Sequence, residues 1–208
     1  METVFRENSF SKDSLDLYHA IIADKQTALQ LAVIREYDLP TESHSRGVGH
    51  VTAEFIASGI TDIDSEQSII LVKLALLHDL GKLSISQTTL NKPSKLSHNE
   101  WKLIEHHSTD GFHRYSAEFD PYEALPILLH HTLQLNNYPH ELELERNIAI
   151  YDIDPIELSN EEMLTETLIL ALSDNIEARY PYLKEKQDSK YLRTYSSRRD
   201  YNVEDLPN

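Results

Sequence analysis

Apolar residues in this chain recur at intervals of three and four, and only five glycines interrupt its 208 residues. A backbone with so few breaks and that period has little choice but to form helices. The expected fold class is therefore all-α. Ser14 to about Tyr37 reads as one helix through Leu17, Ile21, Leu29 and Ile34, closed by Pro40, and a second begins at Thr41 with His44, Val48, Val51 and Phe55 on one face. Asp64 with Gln67 forms a capping box for a third, which carries the run Ile69 to Leu77 into His78-Asp79, with Gly81 marking its end. Ser97 with Glu100 caps a helix through Trp101, Ile104 and His107. Asp120-Pro121 opens another through Leu125, Leu128 and Leu129 into His130-His131. The stretch 140–160 reads as irregular and acidic, and Ser159 with Glu162 caps a final helix, Met163 to about Ala178, bearing Asp174. The organisation expected is an N-terminal helical extension over 1–40, a main helical domain over 41–187 and a polar tail over 188–208.

Composition narrows the chemistry. A formal charge of −16 leaves no long-range attraction for duplex nucleic acid or an anionic membrane, so an anionic substrate needs a local positive centre. Absence of cysteine removes thiolate metal sites and thiol nucleophiles, and the eleven histidines become the softest ligands present. No signal pattern opens the chain and Lys73 interrupts the longest apolar run, so a soluble cytoplasmic protein is expected. Neither a Gly-x-Ser-x-Gly elbow nor a phosphate-binding glycine loop occurs, which disfavours serine hydrolases and P-loop enzymes.

His44, His78, Asp79, His107, His130, His131 and Asp174 all fall at or near core-facing positions. One buried histidine is usually a hydrogen-bonded core residue. Seven such groups together incur desolvation costs of several kcal/mol unless a cation compensates them. A mixed nitrogen and oxygen set of this size suits two divalent cations of the iron or manganese kind, bridged by Asp79, activating water and neutralising charge at a phosphate. Lys82, three residues on, is a candidate phosphate contact or an ordinary solvated lysine. His19, His98, His106 and His140 read as exposed, and His50 and His113 as lying outside the ligand set.

These residues resemble the HD superfamily of metal-dependent phosphohydrolases, and within it the HD-GYP branch. His44-Ser45-Arg46-Gly47-Val48 resembles the first-ligand motif, and Leu77-His78-Asp79-Leu80-Gly81-Lys82-Leu83 the signature dyad. Leu90 to Ser97 with Glu100-Trp101 resembles a segment found mainly in that branch, and His107, His130-His131 and Asp174 complete the order. The resemblance implies a helical bundle in which His44, His78, Asp79 and Asp174 hold one metal and His107, His130 and His131 a second. It further implies hydrolysis of a cyclic dinucleotide of the cyclic di-GMP type by a metal-bridging hydroxide, with Asp79 and Lys82 as catalytic residues.

The departures fall around substrate. His131 is followed by Thr132-Leu133-Gln134-Leu135-Asn136-Asn137-Tyr138-Pro139, which keeps tyrosine and proline but not the glycines of the branch. Pro40 stands where some members carry a further glutamate, which argues against a third metal. Lys82, Arg179 and Lys184 are the candidate substrate contacts, the latter two in a loose echo of the family's arginine-bearing loop. Two alternatives therefore stay open: a phosphohydrolase acting on a nucleoside phosphate or other small phosphoester, and a catalytically weak regulatory module that binds a nucleotide or protein partner through the modified loop or tail.

Overall fold

The computed structural model describes residues 10–60, 62–132 and 138–179, with the backbone alone for Arg179. Among them the regular structure is all helical, as expected: α1 (Lys12–Ile22), α2 (Lys25–Tyr37), α3 (Leu39–Ala57), α4 (Ser65–Leu77), α5 (Gln87–Leu90), α6 (His98–Glu105), α7 (His107–Ser116), α8 (Leu125–Leu129), α9 (Glu141–Tyr151) and α10 (Glu161–Arg179). Two 3-10 turns, Leu80–Ser84 and Pro155–Ser159, join them. No described helix is long and apolar enough to cross a membrane.

Helix α4 sits at the centre because it is apolar nearly all round: Leu71, Val72, Leu74, Ala75, Leu76 and Leu77 are all fully buried. Each of those leucines stabilises the fold by about 1.5–3 kcal/mol through burial. One face of α4 joins Tyr18, Ile21, Leu31, Ile34, Phe112, Leu125 and Leu128 in the main core, and another meets Val48, Ile169 and Leu170. The first two helices thus share their core with the rest of the chain. Helix α3 packs on both α4 and α10, and α7 packs on the 3-10 turn that follows α4.

That last contact is unusually close. A β-carbon on Gly81 would lie 1.9 Å from the His107 carbonyl oxygen and 2.5 Å from the Gly111 nitrogen. Only a residue without a side chain lets the segment after Asp79 reach α7, which fixes the distance between the His78-Asp79 dyad and His107.

Both expected capping boxes form: Asp64 with Gln67 and Ser97 with Glu100. Several boundaries differ from the sequence reading, each for a local reason. The helix expected over 14–37 is two, because Asp24 turns its carboxylate onto the Thr27 amide at 2.9 Å and starts α2 afresh. Pro40 does not close a helix but lies in the first turn of α3, whose cap is Asp38, so α3 begins at Leu39 rather than Thr41. Gly81 does not end α4, which stops at Leu77 with His78 as its cap. The helix expected to run from Ser97 through His107 breaks at His106. Asp120 accepts from the Tyr122 amide at 2.9 Å and holds a turn, so α8 starts only at Leu125. The stretch expected to be irregular contains α9, and Asn160 rather than Ser159 accepts from the Glu162 amide that opens α10.

Candidate metal centre

Five segments deliver the seven ligand candidates. His44 lies within α3; His78 caps α4 and Asp79 follows it; His107 begins α7; His130 caps α8 with His131 next; Asp174 lies within α10. All are buried except His131, which is half-buried. The structure brings them together as two adjoining groups, His44 with His78 and Asp79, and His107 with His130 and His131, the ligand atoms of each lying within 4.8 Å of one another. Asp174 joins the first group, its Oδ1 3.0 Å from His44 Nε2.

Asp79 stands between the groups and gives one oxygen to each. Its Oδ2 lies 3.5 Å from His78 Nε2 and 3.8 Å from His44 Nε2, while its Oδ1 lies 3.4 Å from His107 Nε2. The rings pack edge to face along the seam, with centroids 5.3 Å apart for His78 and His130 and 5.5 Å for His107 and His130.

Local backbone chemistry orients the rings. His78 Nδ1 lies 2.8 Å from the Ala75 carbonyl, and His107 and His130 hold the carbonyls of Ile104 and Ile127 at 2.6 Å. A carbonyl only accepts, so each ring carries its proton on Nδ1 and turns the lone pair of Nε2 inward. The acceptors are carbonyls in the last turns of α4, α6 and α8, so the helix ends themselves orient the candidate ligand rings. His130 Nε2 then has no hydrogen-bond partner although it is buried. His131 Nε2 lies 3.2 Å from His107 Nε2, close to the separation of two nitrogens each about 2.1 Å from one cation.

Protonation favours the same occupant. Burial, opposed by Asp79, pushes His107 down to about 3, and burial with the neighbouring rings lowers His78 and His130 as well. These imidazoles are therefore neutral donors at ordinary pH. Burial acts to raise Asp79 and Asp174, but Lys82 and the adjacent rings for the first, and His44 above all for the second, outweigh it and hold both carboxyls well below the usual range. Neutral nitrogens, ionised carboxylates and a buried unpartnered nitrogen fit divalent cations of the harder transition-metal kind.

Lys82 Nζ lies 2.5 Å from Asp79 Oδ2, at the edge of the groups rather than in bulk solvent. Tyr138, buried, stacks on His131 with centroids 4.4 Å apart and meets His107 edge-on at 5.9 Å. The Arg179 side chain, Lys184, residues 133–137 and the tail over 188–208 lie outside the described residues. His50 is buried but far from this role: it is sandwiched between Tyr18, at a centroid distance of 3.5 Å, and Phe10, at 5.0 Å. Sequence reading passed over Glu177, whose carboxylate is buried against His44 Nδ1. Its signal was an acid three residues beyond Asp174, hence on the same side of α10.

A family model for the HD domain matches residues 41–179, two thirds of the chain. This chain belongs to the HD domain family. The HD domain here is similar to a cyclic di-GMP phosphodiesterase of Thermotoga maritima, 28% identical over 176 residues, which are 80% of this chain and 43% of the relative. It is also similar to the cyclic di-GMP phosphodiesterase response regulator RpfG of Xanthomonas campestris pv. campestris, 31% identical over 112 residues, 52% of this chain and 29% of that protein. A third relative, the 3'3'-cGAMP-specific phosphodiesterase 3 of Vibrio cholerae, is 40% identical over 68 residues, 33% of this chain and 14% of its own length. The HD domain chain thus spans less than half the length of each of these relatives. No solved structure matches it.

Proposed function

We propose that this chain is a metal-dependent phosphodiesterase that hydrolyses a cyclic dinucleotide of the cyclic di-GMP type. The observation that carries the reading is the division of Asp79, one oxygen toward His44 and His78 and the other toward His107. A single carboxylate placed so would serve two cations rather than one. His44, His78, Asp79 and Asp174 would hold the first, and His107, His130 and His131 with Asp79 the second. When bound, two divalent cations of the iron or manganese kind supply a lowered water pKa and neutralise charge on a phosphodiester.

The remaining work falls to the chain itself. Lys82 places a positive charge beside the bridging carboxylate, where a phosphate oxygen gains charge as its P–O bond breaks. Tyr138 closes one side of His131 and His107 with an aromatic ring, which excludes water from the second group. Arg179 and Lys184 extend the same reading as phosphate contacts. With a charge of −16, the protein relies on this centre to draw in an anion. The three named relatives act on cyclic dinucleotides, which supports the substrate class. A second reading, a nucleoside phosphate or other small phosphoester, draws on the loss of glycines between His131 and Tyr138.

The test is product release from cyclic di-GMP, 3'3'-cGAMP and a panel of nucleoside monophosphates by chelator-free protein under manganese or ferrous iron. Cyclic dinucleotide hydrolysis that disappears in Asp79→Ala is the expected result. Hydrolysis of monophosphates alone moves the assignment to the second reading, and undiminished turnover in Asp79→Ala refutes the bridge.

A further inference from the structure

We propose that Glu177 is a positioning residue for the first metal, acting through His44, and that Gly47 exists to admit it. The proposal rests on the two-cation reading of the site. Three of the histidines turn Nδ1 onto a neutral backbone carbonyl, at Ala75, Ile104 and Ile127. His44 lies in the interior of α3, where backbone carbonyls are taken up by the helix, so it needs an acceptor from elsewhere. Glu177 of α10 supplies it, with its carboxylate against Nδ1.

This acceptor differs from the others in charge. A carboxylate behind an imidazole fixes the tautomer, as a carbonyl does, and also makes the opposite nitrogen a stronger donor. Nε2 of His44 is that nitrogen, and it faces Asp174 Oδ1 at 3.0 Å and Asp79 Oδ2 at 3.8 Å. The first group therefore has a charged orienting partner, whereas His107 and His130 of the second have neutral ones. A buried acid is costly to keep at 1% exposure unless its position serves something.

Gly47 makes the reach feasible. It lies one turn after His44 on α3, and a β-carbon there would meet Glu177 Cγ at 2.5 Å, Oε1 at 2.8 Å and Cδ at 2.9 Å. All three nearest atoms belong to that one side chain. A side chain at 47 is admitted only if the Glu177 side chain shifts from its present position.

Manganese titration of chelator-treated full-length chain, followed calorimetrically, tests this without reference to turnover. Wild type should bind two ions. Glu177→Gln keeps the shape and removes the charge, and should weaken one of the two by about 10- to 100-fold while leaving the other unchanged. Repeating the pair in His131→Ala, where only the first group keeps its full set, should show the weakening on the ion that remains. Gly47→Ala should mimic Glu177→Gln, and Gly47→Ala combined with Glu177→Ala should bind no more weakly than Glu177→Ala alone, because the clash leaves with the carboxylate. A purely structural glycine would instead add its own loss. Two ions held with wild-type affinity by Glu177→Gln, or both weakened equally, overturns the role of Glu177 and leaves the metal centre standing. No binding by wild type removes the metal centre itself, and the proposal with it.

Discussion

A lysine after a helix end is usually a solvated residue, yet Lys82 is held 2.5 Å from Asp79 Oδ2. The two roles make opposite forecasts for Lys82→Met. If Nζ faces the reacting phosphate, kcat/KM should fall by about 100-fold, the scale of losing one donor to developing negative charge. Manganese affinity should hold or rise, since Asp79 loses a competing cation. Equal turnover by variant and wild type, measured under saturating manganese, would leave Lys82 as a partner of Asp79 with no part in the reaction. The same scale shows why the clustering of most candidate ligands was legible in the sequence and Glu177 was not. His44, His78, His107 and Asp174 stand among apolar neighbours at helical spacing, so their burial and shared direction follow from periodicity. Glu177 follows Asn175-Ile176, and an acid near a helix end reads as solvated. Its burial depends on a glycine 130 positions earlier on another helix, a pairing that only the packing of α3 on α10 creates. His50 shows the converse: a buried histidine that packs between Phe10 and Tyr18, apart from both ligand groups.

At the scale of elements, the site depends on how closely the turn after α4 approaches α7. Gly81→Ala would drive a methyl group to 1.9 Å from the His107 carbonyl, which is backbone and cannot swing aside. We expect this substitution to lower stability by about 3 kcal/mol or more, at the upper end for single changes, and to displace His107 from Asp79. Chemical denaturation measures the first effect and manganese stoichiometry the second. A midpoint within error of wild type would show that the crossing can open at little cost. The reach of sequence reasoning at this scale was set by side-chain caps. For Asp64 with Gln67 and Ser97 with Glu100 the helix began where expected, whereas for Ser159 with Glu162 the cap moved one residue on, to Asn160. Where a cap interrupted a continuing apolar pattern, as Asp24 does between α1 and α2, periodicity ran straight through the break. Helix α9 was missed although Leu144, Ile148 and Tyr151, at spacings of four and three, pack partly buried against the main core, because exposed Leu142 and Ile150, at 72% and 67%, and the acids among them blur that stripe.

For the molecule as a whole, buried histidines tie stability to pH. His50 is lowered to about 3 by burial, with His19 and Arg46 adding to the effect, and His107 is lowered to the same value. An unfolded histidine titrates near 6.5, so below that pH the unfolded chain takes up protons that the folded chain refuses. Stability contributed by neutral burial is therefore complete above about 6.5 and is lost progressively as pH falls toward 3, at up to about 1.4 kcal/mol per pH unit for each such histidine. Carboxylates held low act in the same direction but only nearer their own unfolded values, about 4. Net charge acts oppositely, since acidification relieves the mutual repulsion in a chain of −16. The two trends separate by substitution. His50→Phe keeps an aromatic ring between Phe10 and Tyr18 while removing one titrating group, and leaves the overall charge above pH 6.5 unchanged. Urea midpoints of metal-free wild type and His50→Phe, taken at pH 7, 6 and 5, should diverge, with the variant losing less stability on acidification. Parallel curves would mean that the folded protein protonates His50 as readily as the unfolded chain does, and that the stack of Phe10, His50 and Tyr18 admits water.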